Sequence, residues 1–174
     1  MENVELIEKL KNIKLLAMDV DGTLTDSAMY YSANGEELKR FHTRDGMAMN
    51  LLRKAGIDTA IITSENSKIV MSRAMKLNIE HIIMGCRNKS TALRDLADQL
   101  ELSLKEIAFI GDDINDYYVM KIAGVSACPA DATELILETA DYICNKNGGN
   151  GAVREFAELI LKTQNKPIHL TENW

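Results

Sequence analysis

Residues 14–26 read KLLAMDVDGTLTD. The stretch Lys14–Val20 is apolar but for Lys14 at its start and Asp19 near its end, and Asp21, Gly22 and Thr23 follow at once. A short run without polar alternation is a strand covered on both faces, as strands of parallel sheets are. Working outward, the same kind of run recurs at Asp58–Thr63, His81–Met84, Ile107–Ile110, Val125–Cys128 and Tyr142–Cys144. Amphipathic stretches lie between them. Met47–Ala55 has helical periodicity and ends before Gly56, a suitable C-cap. Ser67–Leu77, Ser90–Leu100, Ile114–Ala123 and Ala152–Leu161 read as further helices. Ser103–Glu106 and Asp131–Glu134 have the spacing of capping boxes, the second opening one more helix. Such alternation means βαβ units. The fold class is therefore α/β, a single Rossmann-like, doubly wound parallel sheet.

One segment breaks the alternation. Residues 28–43 contain Asn34-Gly35, a hairpin signal, flanked by strand-like Met29–Tyr31 and Leu38–Phe41. A β-hairpin flap is thus expected after strand one. About twenty residues separate Thr25 from Met47, too few for a cap domain. Residues 162–174 are polar, contain Pro167 and read as an extended C-terminal tail.

The whole chain has 174 residues, 46% hydrophobic and 26% charged, a length that suits one domain over 1–174. Its net charge of −6 argues against a nucleic-acid partner, which wants a basic face. No apolar run approaches the ~20 residues of a membrane span. The start, Met1-Glu-Asn-Val-Glu, lacks the basic and apolar parts of a signal peptide, so a cytoplasmic location is expected. Cys86, Cys128 and Cys144 lack metal-ligand spacing and read as small apolar fillers.

In open α/β sheets ligands bind at the carboxyl ends of the strands. That rim collects Asp19, Asp21, Thr63, Ser64, Lys89 and the run Gly111-Asp112-Asp113-Ile114-Asn115-Asp116. So many carboxylates repel one another unless a divalent cation sits among them, and hard oxygen donors beside a phosphate suit Mg²⁺. One carboxylate can attack phosphorus. A second can protonate the leaving oxygen and later activate water. A hydroxyl and an ammonium can hold the phosphate oxygens. Gly22 allows a close backbone turn. Singly, an Asp-x-Asp is an ordinary strand end and Gly-Asp-Asp an ordinary helix cap; the ordered set carries the inference.

That set resembles the motifs of the haloacid dehalogenase superfamily of phosphotransferases. DVDGTLTD (19–26), NGEELKRFHTRDG (34–46), GDDIND (111–116), PADA (129–132) and GGNGAVREF (148–156) are similar to its small capless sugar-acid phosphatases. The resemblance implies Asp19 as nucleophile and Asp21 as acid/base. It implies Mg²⁺ held by Asp19, the Asp21 carbonyl and Asp112. It implies Thr63, Ser64 and Lys89 on phosphate, with Gly22, Asp113 and Asp116 in support. It also implies a homotetramer in which the hairpin meets the neighbouring subunit, a use for Met29, Tyr30, Tyr31 and Phe41.

The substrate implied is a small phosphorylated 2-keto-3-deoxy sugar acid. Enzymes of that group that act on octulosonate 8-phosphate carry Thr-Gly-Arg after strand two, whereas this chain has Thr63-Ser64-Glu65. A neighbouring subgroup acting on nine-carbon 9-phosphates carries Ser-Glu there and a lysine on the next helix, which would match Lys76. Ser27 also replaces a common glycine. These departures favour a nine-carbon substrate, with octulosonate 8-phosphate as the alternative. Glu65, Lys76 and Arg73 are the candidate specificity residues on this side; His42, Arg44 and Arg154 are candidates for the substrate carboxylate. Each also reads as an ordinary surface charge. Two rivals differ in kind. A receiver domain would carry its acidic pair in another order along the chain. A non-catalytic regulatory relative would not need the intact Asp19, Asp21, Thr63, Lys89 and Asp112.

Overall fold

The computed structural model describes residues 4–169. Its sheet is built from the apolar runs: β1 (Leu15–Met18), β4 (Asp58–Ile62), β5 (His81–Ile83), β6 (Ile107–Ile110), β7 (Val125–Cys128) and β8 (Tyr142–Ile143). Strand order is β5-β4-β1-β6-β7-β8, every pairing parallel. β1 is central, and Leu15 pairs with both Asp58 and Ile107. All residues of β1, β6 and β7 are buried.

Alternation along β1 shows how the two faces are filled. Leu16 and Met18 enter one core, packed with α1 (Val4–Leu10), α2 (Thr43–Lys54), α3 (Lys68–Leu77) and α7 (Ala152–Thr163). Leu15 and Ala17 enter the other, packed with α4 (Lys89–Gln99), α5 (Tyr117–Ile122) and α6 (Glu134–Thr139). Each fully buried large side chain contributes about 1.5–3 kcal/mol, so both layers are fixed by the same strands.

The hairpin forms from β2 (Tyr30–Ser32) and β3 (Gly35–Leu38), an antiparallel pair separate from the main sheet. Ser32 faces Gly35, so Ala33 and Asn34 make the turn, one residue earlier than the Asn34-Gly35 reading. Gly35 takes φ +112°, a conformation that suits glycine. Ser27 also takes a positive φ, +62°.

Other boundaries differ for physical reasons. α2 starts at Thr43 rather than Met47 because the polar first turn, with Asp45, is still helical. Ile114–Ala123 is a 3₁₀ turn (Ile114–Asp116) followed by α5. Asp131 does not cap α6, whose N-cap is Thr133; its carboxylate accepts from the Gly148 N–H at 2.9 Å. α7 runs to Thr163, two residues into the stretch expected to be an extended tail; Leu170–Trp174 lie outside the described residues. α1 has no counterpart in the sequence reading. It is held late in the chain, where Gln164 Nε2 donates to the Leu10 and Ile13 carbonyls at 2.9 and 2.8 Å. No helix among the described residues is long and apolar enough to cross a membrane.

Candidate active site

The backbone leaves β1 in a tight turn: Thr23, Leu24 and Thr25 all donate their N–H to the Val20 carbonyl. Gly22 holds φ +93°, and a Cβ there would overlap the Asp112 carboxylate. The turn is clamped by a segment distant in sequence but adjacent in space. Gly149 N–H donates to the Thr23 carbonyl at 3.0 Å, and side chains at Gly148 or Gly149 would collide with the Gly22 and Thr25 backbone. The glycines of residues 148–151 are thus a close support for the strand-one loop, beyond serving as a turn before α7.

Four carboxylates converge on this loop. Asp19 is buried, only 4% exposed, and Asp116 is fully buried. Between them stands Lys89, at the start of α4, with Nζ 2.5 Å from Asp19 Oδ1 and 2.6 Å from Asp116 Oδ1. Asp116 also accepts from the Asp112 N–H at 3.0 Å, which shapes the loop after β6. Asp112 Oδ1 accepts from the Thr23 hydroxyl at 2.9 Å. Oxygens of Asp19, Asp112 and Asp116 lie within 4.8 Å of one another. The fourth carboxylate, Asp21, faces the flap: Lys39 Nζ is 2.5 Å from its Oδ1.

The electrostatics show what this set lacks. Burial pushes the Asp19 carboxyl up to about 7, aided by Asp116 and opposed by Lys89. Burial likewise pushes Asp112 up to about 8, with Asp19 and Asp116 adding to the rise. Asp116 is also raised, chiefly by burial. Burial works to lower Lys89, but Asp19 and Asp116 outweigh it and the ammonium stays charged. Asp19, Asp112 and Asp116 against Lys89 leave two formal negative charges in excess. A hard divalent cation fits both that charge and the all-oxygen donors of Asp19 and Asp112.

Thr63, at the end of β4, is buried, and its Oγ1 accepts from the Glu65 N–H at 3.3 Å. Ser64 Oγ accepts from Asn115 Nδ2 at 3.3 Å. Asp113 is exposed and its carboxylate caps the 3₁₀ turn, accepting from Ile114 N–H at 2.7 Å; the side chain bonded to Lys89 is Asp116. A cavity of about 590 Å³ opens between α4 and α5, lined by Lys89 and Asn115 and by the cationic Arg87, Arg94 and Lys121. On an acidic chain this gives an anion a locally favourable approach.

The expected specificity residues are not gathered at one place. Glu65 and Lys76 are both exposed, Lys76 in the last turn of α3. Arg44 is exposed on the first turn of α2. His42, Arg73 and Arg154 belong to a network around buried Asp45. His42 Nδ1 lies 3.5 Å from Asp45, and Arg73 donates to the His42 carbonyl and stacks over Phe41. The Arg154 N–H donates to Asp45, while its guanidinium donates to Glu158 at 2.7 Å. Asp45 also accepts from Gly151 N–H and so caps α7 from outside that helix.

Sequence reasoning missed Lys39, Glu36 and Ser67. A lysine in Leu38-Lys-Arg-Phe on a hairpin leg reads as a solvated edge charge. The one available signal was its place inside a segment shared with the family.

A topologically central strand ending in a buried aspartate, with a lysine and further aspartates around it, defines a phosphoryl-transfer site. A family model of haloacid dehalogenase-like hydrolases matches residues 47–156. The chain belongs to this family of hydrolases, and in class it is a phosphomonoesterase. Among curated proteins, the 3-deoxy-D-manno-octulosonate 8-phosphate phosphatase KdsC of Escherichia coli (strain K12) is 42% identical over 164 residues, covering 94% of this chain and 87% of the relative. Among solved structures, the octulosonate 8-phosphate phosphatase of Moraxella catarrhalis, in complex with magnesium ion, phosphate ion and KDO, superposes with TM-score 0.91 at 44% identity over 94% of each chain. The cobalt-bound enzyme of Haemophilus influenzae gives TM-score 0.88 at 38% identity, over 90% of this chain and 92% of that one.

Proposed function

We propose that the chain is a Mg²⁺-dependent phosphatase of 3-deoxy-D-manno-octulosonate 8-phosphate. The observation that carries the substrate is the likeness, near full length, to phosphatases of that sugar acid, one of them solved with magnesium, phosphate and KDO. This replaces the nine-carbon reading drawn from Ser64-Glu65 and Lys76. Those two side chains make no ion pair with each other, and Lys76 stands roughly 12 Å along α3 from its first residue at 1.5 Å per residue.

Mg²⁺, held by Asp19, the Asp21 carbonyl and Asp112, would offset the excess carboxylate charge and so let the phosphate approach. The chain's own groups then do the following. Lys89 and Thr63 hold phosphate oxygens, and Ser64 lies beside them. Asp19 attacks phosphorus; the phosphorus–sugar oxygen bond breaks, and Asp21 gives its proton to the leaving oxygen. Asp21 next takes a proton from water as that water attacks the aspartyl-phosphate. The Asp19–phosphorus bond breaks, and inorganic phosphate and the Asp19 carboxylate are restored. Asp116 keeps Lys89 in place. Outside the catalytic rim, the exposed Met29, Tyr30, Tyr31 and Leu38 support assembly as a homotetramer through the hairpin, which would shield the site from water.

The test is phosphate release with Mg²⁺ from octulosonate 8-phosphate and from the nine-carbon 9-phosphates at equal concentration. The expected result is a clear preference for the eight-carbon substrate. Preference for a nine-carbon substrate would reinstate Glu65 and Lys76 as the discriminating pair.

A further inference from the structure

The flap touches the catalytic loop through one chain of polar side chains. Ser67, the buried residue before α3, donates its hydroxyl to Glu36 Oε2 at 2.7 Å. Glu36 Oε1 lies 2.6 Å from Lys39 Nζ, and the same ammonium lies 2.5 Å from Asp21 Oδ1. The Lys39 side chain is wholly buried, whereas its neighbours on the hairpin leg, Leu38 and Arg40, are exposed. A buried lysine is costly unless its charge is met, and two carboxylates meet this one. The other oxygen of Asp21, Oδ2, is buried and has no hydrogen-bond partner among the described residues.

This division of the two oxygens is informative. Oδ1 is anchored; Oδ2 is left to act. An acid/base carboxylate must present one oxygen to the leaving group and then to water, in a fixed direction, while the other is restrained. Nothing on the strand-one loop itself restrains Asp21 in this way: the Gly22 N–H donates to Thr25, and Thr23 is bonded to Asp112. The restraint comes from the flap.

We infer that Lys39 is the positioning residue for Asp21, and that Glu36 and Ser67 make this positioning depend on a seated flap. The inference rests on the phosphatase reading above. It gives the hairpin a role inside its own subunit, separate from any contact its outer side makes. A displaced flap takes Lys39 with it and leaves the nucleophile Asp19 paired with Lys89 but the proton donor unaimed.

The test separates the proton-transfer role from folding and from substrate binding. Lys39→Met and Glu36→Gln are compared with the parent protein, with Mg²⁺, on octulosonate 8-phosphate and on 4-nitrophenyl phosphate. A nitrophenolate leaves without a proton; a sugar alkoxide does not. Lys39→Met should lower kcat on the sugar phosphate on the order of 100-fold, the scale of positioned acid/base catalysis, with KM little changed. Its first turnover on 4-nitrophenyl phosphate should stay close to the parent's. It should appear as a burst of one nitrophenolate per enzyme, followed by slow turnover as the aspartyl-phosphate waits for an activated water. Glu36→Gln preserves shape and should show the same pattern at about a tenth of the effect; it decides the matter if Lys39→Met does not fold. Equal losses on both substrates at the first turnover, a change in KM alone, or no change would each overturn the inference. Absence of any activity in the parent protein would instead remove the phosphatase reading, and this inference with it.

Discussion

The rim of the sheet and the flap above it solve different problems with the same residue types. At the rim, Asp19, Asp112 and Asp116 crowd around one lysine, and two of their carboxyls are pushed up to about 7 and about 8 by burial and mutual repulsion. In the flap, one buried lysine has its charge met by two carboxylates: Lys39 is raised and Glu36 lowered. The rim is built unfinished, and a cation completes it. The flap is finished on its inner side, and its unfinished part is the apolar outer side, with Tyr31 65% and Leu38 62% exposed. The difference teaches what each region leaves open: an oxygen-lined site for a cation at the rim, and exposed apolar side chains on the flap.

The sharpest break in that comparison is made at Asp19. Asp19→Asn keeps the side chain's shape but removes the nucleophile, and turnover should fall on the order of 10⁴-fold or more. Metal-free stability should not fall at pH 6 and should rise at pH 8.5, because the change removes a carboxyl whose burial opposes ionisation while Lys89 keeps its pairing with Asp116. Phosphate release and thermal melting, measured together, check both halves. Substantial residual activity would mean that Asp19 is not the attacking group.

Much of this rim is legible in the sequence because it follows from strands. β6 and β7 run over the residues that the short apolar runs assign, Ile107–Ile110 and Val125–Cys128, since a strand sealed on both faces is almost wholly apolar; the exception, Ser126, is bonded to Asp141. Asp19 and Asp112 follow the ends of β1 and β6, and Lys89 opens the helix after β5. The flap is illegible for the converse reason. Whether Lys39 points inward depends on Asp21, eighteen residues away, and on Ser67 beyond the next strand, contacts that no local period encodes. His42, Arg73 and Arg154 show the same gap. Their partners come from separate parts of the chain: His42 lies beside Asp45, Arg73 donates to the His42 carbonyl, and the Arg154 guanidinium donates to Glu158. α1 is hidden because its partner, Gln164, lies some 150 residues downstream.

A second prediction sets the two regions against each other by pH. Asp19 and Asp112 have folded values above the ordinary 3.8. Without metal, their contribution is greatest at low pH and is lost as pH rises through about 7 and about 8. The flap behaves otherwise. Glu36, lowered, loses its contribution only in acid; Lys39, raised, only above the ordinary lysine range. Between pH 6 and 8.5 the flap is therefore constant and the rim is not. Metal-free protein should melt lower at pH 8.5 than at pH 6, and saturating Mg²⁺ should raise the melting temperature more at the higher pH. Equal Mg²⁺ effects at both pH values would mean that Asp19 and Asp112 are not the groups it neutralises.

The smallest effect belongs to the flap's outer side, and it bears on the proposed tetramer. Tyr30 and Tyr31 stand 50% and 65% exposed beside Met29 and Leu38, a cluster of apolar surface on a two-stranded hairpin. A hairpin of this size is marginal by itself, so its position needs support from below or above. Below, Lys39 and Glu36 provide it; above, a second copy of the chain would. Replacing Tyr30 and Tyr31 together by Ser leaves Lys39, Glu36 and Ser67 untouched. Sedimentation should then show a smaller species than the parent, and KM for the sugar phosphate should rise several-fold as water reaches the site. The first turnover on 4-nitrophenyl phosphate should hold, because the inner latch on Asp21 is intact. A parent protein that sediments as a monomer would remove the outer contact and leave the inner latch as the flap's whole support.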